Sequence, residues 1–341
     1  MRRFHYGDYI MRYNILGRTG LRVSQLGFGC GSIGGLLVRG DYPVMREVVS
    51  RAIEMGINYF DTAPLYGNGQ SEVNLGAVLR ELKSDVLIGT KVRLKNEELD
   101  QIGAAITRSV EGSLRRLGRA SVDLIQLHNR IGFQRQPERD QVAIHDLDAV
   151  RRAFEALQQQ GKIRFWGITG LGVSGALYET VATGGFQTIQ VAYNLLNPSA
   201  GRAVPPGFPF QDYGQLIEHA AQQEMGVVAI RILAGGALSG ALERHPVAAK
   251  SVNPIASEQA YSADVARAQR YTFMVEDGLV SNLVEAAVRF VISKPGVSTA
   301  LLGISSRDQL EQAVKVVERG PLSADPLEHI RATGSGPGSQ P

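Results

Sequence analysis

Short apolar runs alternate with longer stretches of helical period along almost the whole chain. The runs occupy residues 25–29, 58–61, 86–90, 122–128, 163–169, 188–194, 226–232 and 298–303, and each reads as a strand. Between them, residues 44–55, 72–82, 102–117, 147–160, 213–223 and 282–293 place apolar side chains at i, i+3 and i+4 and polar ones opposite, the signature of helices that bury one face. Eight strands alternating with helices fit a closed parallel barrel, the (β/α)8 or TIM barrel, better than two domains. Continuous apolar character, as in Val227-Val228-Ala229-Ile230, is what a strand buried on both faces requires. Ahead of the barrel, residues 13–24 predict a small β-hairpin whose turn is made by Gly17 and Gly20. One domain over residues 1–331 follows, with the Gly, Ser and Pro-rich segment 332–341 as a disordered tail.

A doubly wound open sheet is the competing architecture, and it needs a glycine-rich phosphate turn early in the chain. Gly29-Cys30-Gly31-Ser32-Ile33-Gly34 matches that spacing, yet no acidic residue ends a strand about 20 residues later, so these glycines read as a flexible strand-to-helix loop. Two long connections, 129–146 after the fourth strand and 234–278 after the seventh, follow strand C-terminal ends, where barrel enzymes build their sites. The second is long enough to wall a substrate, and Phe133, Phe208, Phe210 and Tyr261 are candidate apolar contacts.

Composition narrows the function classes. Hydrophobic residues at 44 % supply a sizeable core, which excludes wholesale disorder. The single Cys30 cannot form an internal disulfide or a multi-cysteine metal site, and no metal is expected. A net charge of +3 without a concentrated basic tract makes a weak case for nucleic acid or membrane partners. The absence of a long apolar run or a signal-like leader predicts a soluble cytoplasmic protein.

Candidate chemistry gathers at consecutive strand ends: Asp61 and Tyr66 after the second, Lys91 after the third, His128 after the fourth. In a barrel these ends converge on one face. A lysine ending an apolar run would lose its proton unless an anion held it, and Asp61 on the adjacent strand is placed to do so. Lys91 held as ammonium should pull the Tyr66 pKa down from about 10 toward working pH, making the phenol a usable acid and base. A neutral His128 could donate a hydrogen bond to a carbonyl oxygen beside it. Each residue alone also has a structural reading, as cap, snorkelling lysine, loop anchor or core histidine; the shared placement favours chemistry.

With these residues in view, the sequence resembles the aldo-keto reductase superfamily over nearly its whole length. The family's catalytic-tyrosine stretch is similar to Phe60-Asp61-Thr62-Ala63-Pro64-Leu65-Tyr66-Gly67-Asn68-Gly69-Gln70-Ser71-Glu72, its lysine to Ile88-Gly89-Thr90-Lys91, and its histidine to the end of residues 122–128. The resemblance implies a (β/α)8 barrel with an N-terminal hairpin at its base. It also implies reversible, metal-free hydride transfer between NAD(P)H and a small-molecule carbonyl, with Tyr66 as the general acid and base.

Cofactor contacts implied by the same resemblance are Thr169 and Gln190 for the nicotinamide amide, Arg231 for the nicotinamide face or the pyrophosphate, and Gly303, Ser305, Arg307 and Gln309 in the last strand-to-helix loop for the adenosine phosphate. The chain departs from the family pattern at Gly170 and Ala313, where asparagines are usual, and at Ser305, where an arginine is common. Arg307 is the residue left to hold a 2′-phosphate, so NADP is expected ahead of NAD. A cofactor-binding regulatory or sensing protein on the same fold is the rival function, with a barrel isomerase or lyase third. Substrate, reaction direction and oligomeric state are not written in these patterns.

Overall fold

The computed structural model describes residues 11–334. Eight parallel strands close into a barrel: β1 (Leu26–Gly29), β2 (Tyr59–Asp61), β3 (Leu87–Val92), β4 (Val122–Leu127), β5 (Ile163–Thr169), β6 (Thr188–Ala192), β7 (Gly226–Ile230) and β8 (Val297–Gly303). Each pairs with its sequence neighbour and β8 pairs with β1, in register Leu302 with Phe28 and Gly303 with Gly29. All eight strands read from the sequence are present. β3 runs two residues further than expected and thereby carries Lys91 within the sheet, paired with Gln126 of β4.

Eight helices ring the barrel: α1 (Tyr42–Glu54), α2 (Gln70–Glu81), α3 (Ile102–Leu117), α4 (Leu147–Gln159), α5 (Ser174–Ala182), α6 (Leu216–Gln222), α7 (Leu283–Ile292) and α8 (Arg307–Glu318). α3 shows why they form. Ile102, Ala105, Ile106, Val110, Leu114 and Leu117 are buried at helical spacing, and Gly118, at φ 62°, takes the left-handed conformation that ends the helix. α7 and α8 start at side-chain caps. Asn282 accepts from the Glu285 amide at 2.9 Å and Ser306 from the Gln309 amide at 3.3 Å, each worth about 1 kcal/mol.

The expected hairpin pairs Tyr13–Ile15 with Arg22–Ser24 and closes the barrel's base. Leu16, Leu21 and Val23 pack there with Tyr59, Leu124 and Val228 from inside the barrel, a cluster separate from the larger core between strands and helices. Gly17, at φ 49°, bridges to Met225, and a side chain there would collide with the backbone at 224–226.

Both long connections are structured. The one after β4 contains two short paired strands, Arg130–Gly132 and Gln141–Ala143, and the one after β7 contains a helix at Tyr261–Ala268. A final helix, Ala324–Gly334, takes in the first three residues of the segment expected as a disordered tail; 335–341 lie outside the described residues, as do 1–10 of the expected domain. Among the described residues, no helix is long and apolar enough to cross a membrane.

Candidate active site

The strand ends deliver Asp61, Lys91 and His128 to one end of the barrel, and the loop after β2 brings Tyr66 to them. That loop is fixed by its own polar residues. Ser71 donates to the Cys30 carbonyl at 2.8 Å and meets the Thr62 hydroxyl at 2.8 Å, while the Ser71 amide bonds the Tyr66 carbonyl at 3.2 Å. Glu72, wholly buried, accepts from the Thr90 hydroxyl at 2.6 Å and from Arg116 at 2.6 Å. The stretch between Asp61 and Glu72 therefore holds Tyr66 from both ends.

Lys91 and Asp61 form a buried ion pair, 1 % and 2 % exposed. The ammonium also donates to the Thr62 carbonyl at 2.9 Å and stands 4.9 Å from the Tyr66 ring centre. Burial works to lower the Lys91 pKa, but the Asp61 carboxylate and the Tyr66 oxygen outweigh it, so the pKa is raised and the ammonium persists. Tyr66 corrects an expectation. Its burial raises the phenol pKa and Asp61 adds to the rise, so that the lowering by Lys91 is outweighed and the net shift is upward rather than down. The carboxylate that keeps Lys91 charged also opposes its field at the phenol.

The His128 ring lies edge-on to Tyr66, with centres 6.0 Å apart and planes at 89°. Burial, then the charges of Lys91 and Arg93, push its pKa down to about 3, so the imidazole is neutral at working pH. A neutral histidine beside a protonated phenol can supply two hydrogen bonds to one oxygen.

Asp61, Tyr66 and His128 border a cavity of ≈590 Å³, within the range of small-molecule sites. Thr169, Gln190, Arg231, Gly303, Ser305 and Gln309 line the same cavity. The structure thus brings together six of the seven expected cofactor contacts with three of the four catalytic candidates; Lys91 lies behind them. Several are already engaged. Gln190 donates to Asp61 at 2.7 Å, the Ser305 hydroxyl donates to the Gly34 carbonyl at 2.7 Å, and Gln309 accepts from the Ser305 amide at 3.0 Å. Thr169 Oγ1 is buried with no hydrogen-bond partner. Arg231, half-buried and at φ 57°, is anchored through Asn194 on its carbonyl at 2.9 Å and through its own Nη1 on the Asn253 carbonyl at 3.2 Å. Arg307 is the exception: it does not line the cavity and pairs with Glu47 at 2.7 Å and Glu311 at 3.0 Å.

Other wall residues were not singled out from the sequence. Gly29, Gly31 and Gly34 of the glycine-rich stretch line the cavity, and a Cβ on Gly31 would stand 3.4 Å from the Tyr66 ring. These glycines are wall, not a free loop. At Gly170, a Cβ would stand 2.8 Å from the Gln190 carbonyl, so an asparagine there would require a local shift. Of the candidate aromatics, Tyr261 lines the cavity, whereas Phe208 and Phe210 pack on each other at 5.5 Å with Arg267 over the Phe210 ring at 4.1 Å. Among the described residues, no group of three or more histidine, cysteine or acidic side chains is disposed to hold a metal ion.

Comparison with known proteins agrees with the barrel fold. The profile of the Aldo/keto reductase family matches residues 25–334. An L-galactose dehydrogenase of Arabidopsis thaliana is 29% identical over 323 residues, covering 89% of this chain and 86% of that protein. A probable voltage-gated potassium channel subunit beta of the same plant is 25% identical over 332 residues, covering 92% and 93%. The holo form of the aldo-keto reductase AKR11C1 from Bacillus halodurans superposes with a TM-score of 0.69 at 27% identity, covering 95% of this chain and 96% of the other.

Proposed function

Because the chain belongs to the aldo/keto reductase family, we propose that it is an NAD(P)-dependent oxidoreductase that interconverts a carbonyl and an alcohol at Tyr66. The observation that carries this reading is the neutral His128 and the half-buried Tyr66 on one cavity wall, backed by the Lys91–Asp61 pair. Bound in the cavity, a nicotinamide dinucleotide supplies or removes the hydride. The residues present fit such a group: the unpartnered Thr169 hydroxyl and the Gln190 amide suit a carboxamide, and Gly31 leaves the ring of Tyr66 open to the cavity. Arg231 serves the middle of the dinucleotide, and Gly303, Ser305 and Gln309 the adenosine end.

In reduction, Tyr66 gives its proton to the carbonyl oxygen, and His128 orients that oxygen by hydrogen bonding. In oxidation, the phenolate takes the hydroxyl proton. Lys91 stabilises that phenolate at the moment it forms, although in the resting protein burial keeps Tyr66 a phenol. NADP is the cofactor expected from Arg307, but its pairing with Glu47 and Glu311 keeps the discrimination between NADPH and NADH small.

Fluorescence titration with NADPH and NADH, followed by turnover of an aromatic aldehyde, tests the reading. Tyr66→Phe should lower kcat by about 10²-fold or more while cofactor binding survives; undiminished turnover by the variant overturns it. A sensing role on the same fold, to which the resemblance to a channel subunit draws attention, requires the opposite: tight cofactor binding and no turnover across aldehydes and aldoses.

A further inference from the structure

A second cavity, of ≈520 Å³, shares His128 with the first and is bordered by Leu65, Arg93, Arg130, Glu138, Arg139 and Asp140. A substrate whose reacting oxygen rests between Tyr66 and His128 therefore has this cavity beside it for its remaining substituents. Three guanidinium groups face two carboxylates there. Asp140 is taken up by Arg93 in an ion pair, while the side chains of Arg130 and Arg139 form no hydrogen bond or ion pair among the described residues.

Two of the cations, Arg93 and Arg130, are held in fixed relation to His128. The His128 amide bonds the Val92 carbonyl at 2.7 Å, which seats Arg93 next to the imidazole. Asn129 accepts from the Leu94 amide and donates to the Leu94 carbonyl, both at 2.8 Å, and so pins the turn between His128 and Arg130. Arg130 then opens the short strand Arg130–Gly132, its amide bonded to the Asp140 carbonyl at 3.1 Å, and its side chain is half-buried. A forked donor that is partly desolvated and unpartnered is the arrangement that recognises an oxyanion.

We propose that this second cavity is an anion subsite, in which Arg130 and Arg139 bind a carboxylate or phosphate carried by the substrate, so that the enzyme's substrates are anionic aldehydes and the corresponding hydroxy acids or phosphates. The inference rests on the oxidoreductase reading for its chemistry and on the arginine cluster for its specificity.

The test compares kcat/KM for two matched pairs, 4-oxobutanoate against butanal and glyceraldehyde 3-phosphate against glyceraldehyde. The anionic member of at least one pair should be favoured about tenfold or more, and the pair that shows it identifies the anion. The preference should shrink as salt is raised. Arg130→Ala and Arg139→Ala should each reduce it several-fold, whereas Arg152→Ala on the outer face of α4 should leave it unchanged. Equal use of both members in both pairs overturns the proposal. If no aldehyde is turned over, the oxidoreductase reading has failed separately, and calorimetric titration with succinate and with inorganic phosphate decides the subsite. Binding of either, lost in Arg130→Ala, supports it, and binding of neither overturns it.

Discussion

Gln190 Nε2 donates to Asp61 Oδ1 at 2.7 Å, while the other oxygen of the same carboxylate receives the Lys91 ammonium. Tyr59 donates to Oδ1 as well, at 3.2 Å, so one carboxylate gathers donors from three strands. At 2 % exposure Asp61 thus has donors on both of its oxygens, as a buried carboxylate requires. The expected cofactor contact Gln190 thus also supports the Lys91–Asp61 pair.

Lys91→Met should therefore cost more than activity. Removing one partner of a buried pair leaves the other charge uncompensated, and about 3–5 kcal/mol of stability should be lost. Lys91→Met combined with Asp61→Asn should restore much of that stability while turnover stays absent. Urea unfolding midpoints of the two variants check this; equal midpoints would show that the pair is not held as a charged unit.

His128 governs a pH dependence whose sign follows from burial. Its folded pKa, about 3, lies below the ordinary value of 6.5, so the folded protein resists a proton that the unfolded chain accepts. Stability from this group is complete above pH 6.5 and is lost as pH falls toward 3, at up to ~1.4 kcal/mol per pH unit. NMR of histidine-labelled protein should show no His128 titration near pH 6.5, and a shift in that range would refute the neutral ring.

The barrel was legible because its strands are apolar on both faces and its helices on one, which is the periodicity burial imposes. The gathering of Asp61, Tyr66, Lys91 and His128 at one end of the barrel was legible because Asp61, Lys91 and His128 end consecutive runs and a barrel brings such ends together. The direction of the Tyr66 shift was not, since it depends on how burial and Asp61 weigh against Lys91, and adjacency alone does not give those weights. Gly29, Gly31 and Gly34 escaped as wall residues because a glycine contributes a close approach and no side chain. Arg93 and Arg130 escaped because they lie outside any motif and meet only through the pairing of β3 with β4 and the turn at Asn129.

Arg116 should prove a support of the Tyr66 loop. It neutralises Glu72, which is wholly buried, and a Cβ on Gly69, at φ 89°, would stand 2.6 Å from the Arg116 side chain, so the loop packs directly on it. Arg116→Ala should lower stability by about 2 kcal/mol, less than for a fully buried pair because Arg116 is 32% exposed. The same variant should lower kcat by loosening Tyr66. Thermal melts and kinetics of Arg116→Ala and Arg116→Lys check this, with partial recovery expected in the lysine variant.

Glu47 should set the cofactor preference without touching the cofactor cavity. Arg307 opens α8 just past Gly303, the end of β8, and Ser305, yet its guanidinium is divided between Glu47 of α1 and Glu311 one turn along α8. All three side chains are exposed or half-buried, so each ion pair is weak and exchangeable. A 2′-phosphate must compete with both carboxylates for Arg307, because Ser305 supplies a hydroxyl where a second guanidinium would be needed. Glu47→Gln removes one competitor and should raise the affinity for NADPH relative to NADH by several-fold, the effect fading at high salt. Arg307→Ala should erase that gain and leave NADH binding unchanged. If Glu47→Gln leaves the ratio of the two dissociation constants where it was, Arg307 does not reach the 2′ position, and the preference for NADP has no residue behind it.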